Sequence, residues 1–246
     1  MNLSRFQKCT SRSINRTLTV AALFLATPAF AAELTGFPFQ NETLRYNIKY
    51  ASGVTLGEAT VMAAKSGSGW NFDMSFAAGV PGFSFTDNYR SKATAEYCST
   101  ELERSISHGS RKVVEKTKFD QQQRTAERRT LIPAGGGKSD LRLPSCAKDA
   151  VAYSFLTRQE MGQGRVPQAA QIFFGGPYDV RVDYTGAMDI PSGGKTVTTD
   201  HVNVYIKGPA SNLTVEVFYA RDAARTPLLY KVPVSVGTVS LELVRN

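Results

Sequence analysis

The sequence has little of what catalytic and redox sites are usually built from. Among 246 residues there are two histidines, His108 and His201, one tryptophan and three cysteines. No Cys-x-x-Cys pair occurs, which removes the usual dithiol redox motif. No Gly-x-Ser-x-Gly elbow occurs, and neither histidine has ligand or nucleophile spacing around it, so hydrolase elbows and zinc signatures find no footing. "GGGKS" at 135–139 and "GGKT" at 193–196 end like phosphate loops, but Ile132 and Asp189 stand where the first glycine is required. These segments read as turns. The sequence implies no cofactor and no metal. No apolar run reaches the roughly 18 residues that a membrane-spanning helix needs, so no stable membrane insertion is expected.

Acids are missing altogether from the first thirty-one residues, where Arg5, Lys8, Arg12 and Arg16 precede an apolar core from Leu18 to Thr27 and the small-residue cut site Ala29-Phe30-Ala31. That is the pattern of a cleaved secretory signal peptide, giving residues 1–31 as signal and 32–246 as a single domain working in the periplasm. The whole chain is formally +8, and the four basic signal residues account for half of this. So mild a charge argues against a nucleic-acid partner. With Cys9 removed, Cys98 and Cys146 remain in an oxidising compartment, and a disulfide joining the strand end "TAEYC" to the start of a helix is the obvious pairing.

Period-two alternation dominates the chain after the signal. Leu44, Tyr46, Ile48 and Tyr50 alternate with polar residues, as do Trp70, Phe72, Met74 and Phe76; Tyr178, Val180, Val182 and Tyr184; and Leu213, Val215, Val217 and Tyr219. Each reads as a half-buried strand. Dense turn signals separate them, among them "SGSG", "GVPG", "PAGGG", "GGP" and "PSGG". The fold class is all-β: a curled antiparallel meander forming an open or partly closed barrel. "LPSCAKDAVAYSFLTRQEMGQG" is the exception, predicting one helix from Lys148 to Met161, stopped by Gly162, with Ala152, Phe155, Leu156 and Met161 as its apolar stripe across the concave face.

Three stretches, "GFPFQNETLRYNIKYASGVTLGEATV", "AYSFLTRQEMGQG" leading into "YDVRVDYTG", and "DAARTPLLYKVPVSVGTVSLEL", resemble the exported bacterial family called domain of unknown function 3108. The resemblance covers nearly the whole chain after the signal. It implies a periplasmic β-rich curled sheet and no particular reaction.

Two sets of residues stand out as candidate binding sites. Trp70, Phe72, Phe76, Phe83 and Phe85, with Phe155 from the helix, would line an aromatic concavity able to take an acyl chain or another apolar ligand, with the helix as plug or lid. Arg111, Lys112, Lys116, Lys118, Arg128 and Arg129 form a basic run on a predicted hairpin, a surface for an anionic envelope polymer or lipid headgroups. Only Phe119 interleaves it, too few rings to stack bases. The expectation is a non-enzymatic contribution to envelope maintenance by binding an apolar ligand, an envelope polymer or a protein partner. The alternative is an envelope glycan hydrolase using a carboxylate pair drawn from Asp73, Asp87, Glu96 and Glu101.

Overall fold

In a computed structural model, residues 41–80, 82–209, 211–234 and 237–245 are described. The signal-peptide segment and Cys9 lie outside them. Among the described residues, fifteen strands and one helix occur in the order β1 (Glu42–Tyr50), β2 (Thr55–Ser66), β3 (Gly69–Val80), β4 (Phe83–Ala93), β5 (Ser99–His108), β6 (Arg111–Asp120), β7 (Thr125–Ile132), β8 (Lys138–Arg142), β9 (Lys148–Asp149), α1 (Ala150–Gly162), β10 (Ala170–Phe173), β11 (Pro177–Ser192), β12 (Lys195–Lys207), β13 (Asn212–Ala220), β14 (Pro227–Val234) and β15 (Gly237–Leu243). All the strands belong to one sheet ordered β8-β7-β6-β5-β4-β3-β2-β1-β15-β14-β13-β12-β11-β10-β9. Every pairing is antiparallel except the short parallel contact of β9 with β10. Each alternating segment and each glycine-rich turn of the sequence falls where the pattern places it.

The sheet is not closed by hydrogen bonding, since β8 and β9 are its two edges. They cannot lie far apart, however, because residues 143–147 alone join them, a span of at most about 20 Å when extended. The link is pinned. Ser99 N–H donates to the Ala147 carbonyl at 2.9 Å, and Gln121 Nε2 donates to the same carbonyl at 2.9 Å. Cys146 is bonded to Cys98 with the Cα atoms 4.7 Å apart. Cys98 sits in the turn between β4 and β5 rather than at a strand end, so the bridge ties that turn to the link between the sheet edges.

The helix lies inside the curl. It starts two residues later than predicted, because Asp149 caps it: one carboxylate oxygen accepts from the backbone N–H of Val151 at 2.8 Å and of Ala152 at 3.0 Å. Gly162 does not stop it. The helix ends through Gln163 in a Schellman pattern, with Gly164 N–H donating to Met161 O and Arg165 N–H to Glu160 O, and Gly164 at φ +76° takes the left-handed position. Nor is burial confined to one stripe. Val151, Ala152, Tyr153, Phe155, Thr157, Arg158, Met161 and Gly162 are all buried. Val151, Ala152 and Phe155 join the core of the N-terminal strands, while Tyr153 and Met161 join that of β10–β13. A helix with core on both sides is a plug, not a lid resting on a groove.

A smaller cluster, Ile190, Phe218, Ala220 and Leu228, forms on the opposite side of β13. Past a bulge between Tyr184 and Gly186, the far end of the β11–β12 hairpin covers the outer surface of β13 and β14. It makes β13 buried on both faces at Phe218, Tyr219 and Ala220.

Candidate functional site

Alternation sets which side chains enter the curl, and distance from the helix sets how deeply they are covered. Along β3, Phe72 is wholly buried while Met74 and Phe76, the next two inward residues, are only half-buried, before the small Ala78 is covered again. Along β12, Val202 is wholly buried and Val204 and Ile206 are not; along β13 the same step runs from Val217 to Val215 and Leu213. The plug therefore fills one end of the curl. The other end is a trough walled by half-buried aliphatic and aromatic residues.

At the seam between the two walls lies a cavity of 580 Å³. One side is Arg104 of β5 and Arg128 of β7; the other is Ile172, Tyr178, Ile206 and Leu213, with Ala150 at the start of the helix. Such a volume lies within the range of small-molecule sites. The β10–β11 turn reaches across the seam. Phe174 packs on the Tyr89 ring, centroids 4.8 Å apart, and the Arg104 guanidinium lies 4.7 Å over the Phe174 ring. The next residue is Gly175, whose φ of +75° favours glycine and whose Cα lies close against the Arg104 guanidinium. Arg104 Nη1 donates to Glu115 at 3.0 Å. Farther from the helix, toward the rim, His108 Nε2 is 2.8 Å from Asp87, and the Tyr89 hydroxyl donates to the same carboxylate at 3.2 Å. Burial, and then the Asp87 charge, push the Tyr89 pKa up.

The six aromatic candidates divide. Trp70, Phe72 and Phe155 are 1 % exposed or less and stack with one another and with Tyr97, the Phe72 and Phe155 ring centroids 4.3 Å apart. They are core. Phe76 and Phe85 are half-buried trough residues, and Phe83, 50 % exposed, stands at its rim. The six basic candidates divide by strand parity. Lys112, Lys116, Lys118 and Arg129 face outward, where Lys116 pairs with Glu101 at 2.9 Å and Arg129 with Glu127. Arg111 and Arg128 share the inward parity of Phe119 and Ala126, and Arg128 lines the seam cavity. No single surface collects all six.

The four acids are scattered too. Asp73 pairs with Arg90 at 3.5 Å, Glu101 with Lys92 at 3.2 Å and with Lys116, and Glu96 is exposed in the β4–β5 turn. Only Asp87 points into the trough. His201 stacks on Phe218 at 4.3 Å with Thr185 Oγ1 2.7 Å from Nδ1 and Glu216 Oε2 3.1 Å from Nε2. Among the described residues there is no cluster of three or more metal-ligating side chains. A second hollow of 620 Å³ beside Asp200 has its charges matched internally, by Arg225 at 2.6 Å and Arg221 at 2.9 Å.

Two tethers went unread in the sequence. The second carboxylate oxygen of Asp149 accepts from Ser91 at 2.6 Å and Ser99 at 2.7 Å. Burial pushes this carboxyl's pKa up, against four hydrogen bonds that favour its ionised form. Arg158, whose side chain is 3 % exposed, donates to Glu42 through both terminal nitrogens at 2.6 and 3.0 Å and through Nε to the carbonyls of Ala224 and Arg225 at 3.2 Å. Burial works against its charge, but the Glu42 carboxylate outweighs that and holds its pKa above the ordinary value.

A one-piece curled sheet with an internal helix and a half-open apolar interior defines the class: a barrel-like β domain built around a trough. The chain belongs to the protein family of unknown function DUF3108, whose model matches residues 45–244. No curated protein matches the sequence. Among solved structures, the chain is similar to a β-barrel-like protein of domain of unknown function DUF1849 from Brucella abortus, with TM-score 0.57 and 9 % identity over 86 % of this chain and 98 % of that one. At that identity the likeness concerns the fold.

Proposed function

We propose that this is an exported, non-enzymatic protein of the bacterial cell envelope that holds an apolar ligand in the half-open end of its curl. The observation that carries the reading is the loss of cover on the large inward side chains, from buried Phe72, Val202 and Val217 beside the helix to half-buried Phe76, Ile206 and Leu213 away from it. A domain that needed only a core would gain by closing over such residues, since each large apolar side chain fully buried is worth about 1.5–3 kcal/mol. Export to the periplasm is supported by the basic-then-apolar N-terminal sequence and by a disulfide, which persists in oxidising compartments. No helix among the described residues is long and apolar enough to cross a membrane. The glycan-hydrolase alternative draws no support from acids dispersed over both faces of the sheet.

The test is native mass spectrometry of the protein secreted by a bacterium and purified without detergent, followed by solvent extraction. A discrete added mass that extracts as lipid supports the reading. A clean unliganded mass that stays unchanged after incubation with a panel of lipids refutes it and directs attention to the outer surface and to protein partners.

A further inference from the structure

The trough has an apolar body but not an apolar end. At the seam, Arg128 stands on the same side of the sheet as Thr117 and Ser139, which it faces across β6 and β8. Arg128 is half-buried, and its side chain has no ion pair or hydrogen bond among the described residues. Its sequence neighbour Arg129, on the outer face, is paired with Glu127. Two further donors here lack a partner: Arg104 Nε and Ser139 Oγ are both buried without one. Arg104 spends one terminal nitrogen on Glu115, yet its guanidinium still lines the same cavity as Arg128. The facing wall supplies Ile172, Ile206 and Leu213 and no carboxylate.

A half-buried guanidinium facing an aliphatic wall without a counter-charge is incompletely hydrated, and an anion would complete it with charge-assisted hydrogen bonds. We infer that the seam cavity takes the anionic head group of a single-chain amphiphile, with Arg128 as its principal contact and Arg104 as the second wall, while the chain lies along the trough. The inference rests on the apolar-ligand reading and specifies the ligand class. A carboxylate and a phosphate ester share the chemistry that arginine recognises.

The experiment separates the two claims. The full chain, purified without detergent and delipidated by solvent, is loaded with a neutral naphthylamine probe that fluoresces in apolar surroundings. The probe is then displaced in parallel by palmitate, lysophosphatidic acid, hexadecanol and hexadecyltrimethylammonium. At least one of the two anions should displace it at a concentration tenfold or more below hexadecanol, equivalent to about 1.4 kcal/mol, and the ranking of the two identifies carboxylate or phosphate. Arg128→Gln should abolish that preference and leave displacement by hexadecanol unchanged. Arg128→Glu should turn the preference toward the cationic amphiphile, a result that loss of folding could not produce. Equal displacement by anionic and neutral chains would overturn the head-group assignment while leaving the trough reading intact. Failure of the probe and all four chains to bind would overturn both.

Discussion

Arg158→Met tests whether the helix is held as a plug by its buried ion pair. Methionine keeps much of the length and apolar volume of the arginine stem but leaves the Glu42 carboxylate, whose side chain is 16 % exposed, without the partner that now binds it through two nitrogens. Removing one member of a buried pair costs about 3–5 kcal/mol. The carbonyls of Ala224 and Arg225 lose their shared donor, adding about 1 kcal/mol. The expected loss of about 4–6 kcal/mol is a large share of the roughly 5–15 kcal/mol by which domains are stable. Glu42→Gln should cost about 3 kcal/mol, since it strands the opposite charge. The double substitution removes both charges and should be about 2 kcal/mol more stable than the sum of the single losses. Urea unfolding followed by tryptophan fluorescence measures all four proteins, Trp70 being buried in the core that the helix completes. A loss below about 1 kcal/mol for Arg158→Met, or additivity within about 0.5 kcal/mol, would refute the view that this pair fixes the plug.

The seam and the outer face give two further predictions. Replacing Cys98 and Cys146 together by serine frees a segment of 48 residues and should lower stability by about 4 kcal/mol on the chain-entropy model, with the oxidised wild type resisting urea and the reduced wild type matching the variant. On the outer surface, hydrogen bonds from Arg129 and Lys138 lower the Glu127 pKa to about 2. Its favourable contribution is therefore complete above the ordinary carboxylate range and lost as pH falls through about 2. Carboxyl NMR titration of Glu127 should give that low midpoint, moving upward toward the ordinary value in Lys138→Ala.

Most of the sheet was legible in local pattern, because one face of each strand meets the core and the other meets water. Phe72 and Phe76 show where that legibility ends. They share parity, ring and strand, yet one is core and the other lines the trough, and the difference is distance from a helix roughly eighty residues away in the chain. The helix misled in the same way. Thr157 and Arg158 look like the polar side of an amphipathic segment, but Thr157 Oγ1 donates to Tyr153 O at 3.0 Å and Arg158 finds Glu42 116 positions away, so both are buried. Asp149 could be read as a cap only once the helix start was known, and its serine partners lie 58 and 50 residues upstream. The basic run held more information than its composition suggested. Strand parity alone puts Arg128 and Arg129 on opposite faces, and it separates the inward Arg111 and Arg128 from the outward lysines and Arg129.

The order of strands places the first and last described strands side by side at the middle of the sheet, Tyr46 opposite Leu243, while both edges come from the centre of the sequence. Every other antiparallel neighbour is also a neighbour in sequence and can form as a hairpin at small loop-closure cost; the β1–β15 pairing alone must close a loop spanning nearly the whole domain. Loss of the last strand would therefore do more than trim a border. It would part the sheet down its middle, exposing β1 and β14 as two fresh edges with unpaired backbone groups, the kind of surface on which chains pair with one another instead of with themselves.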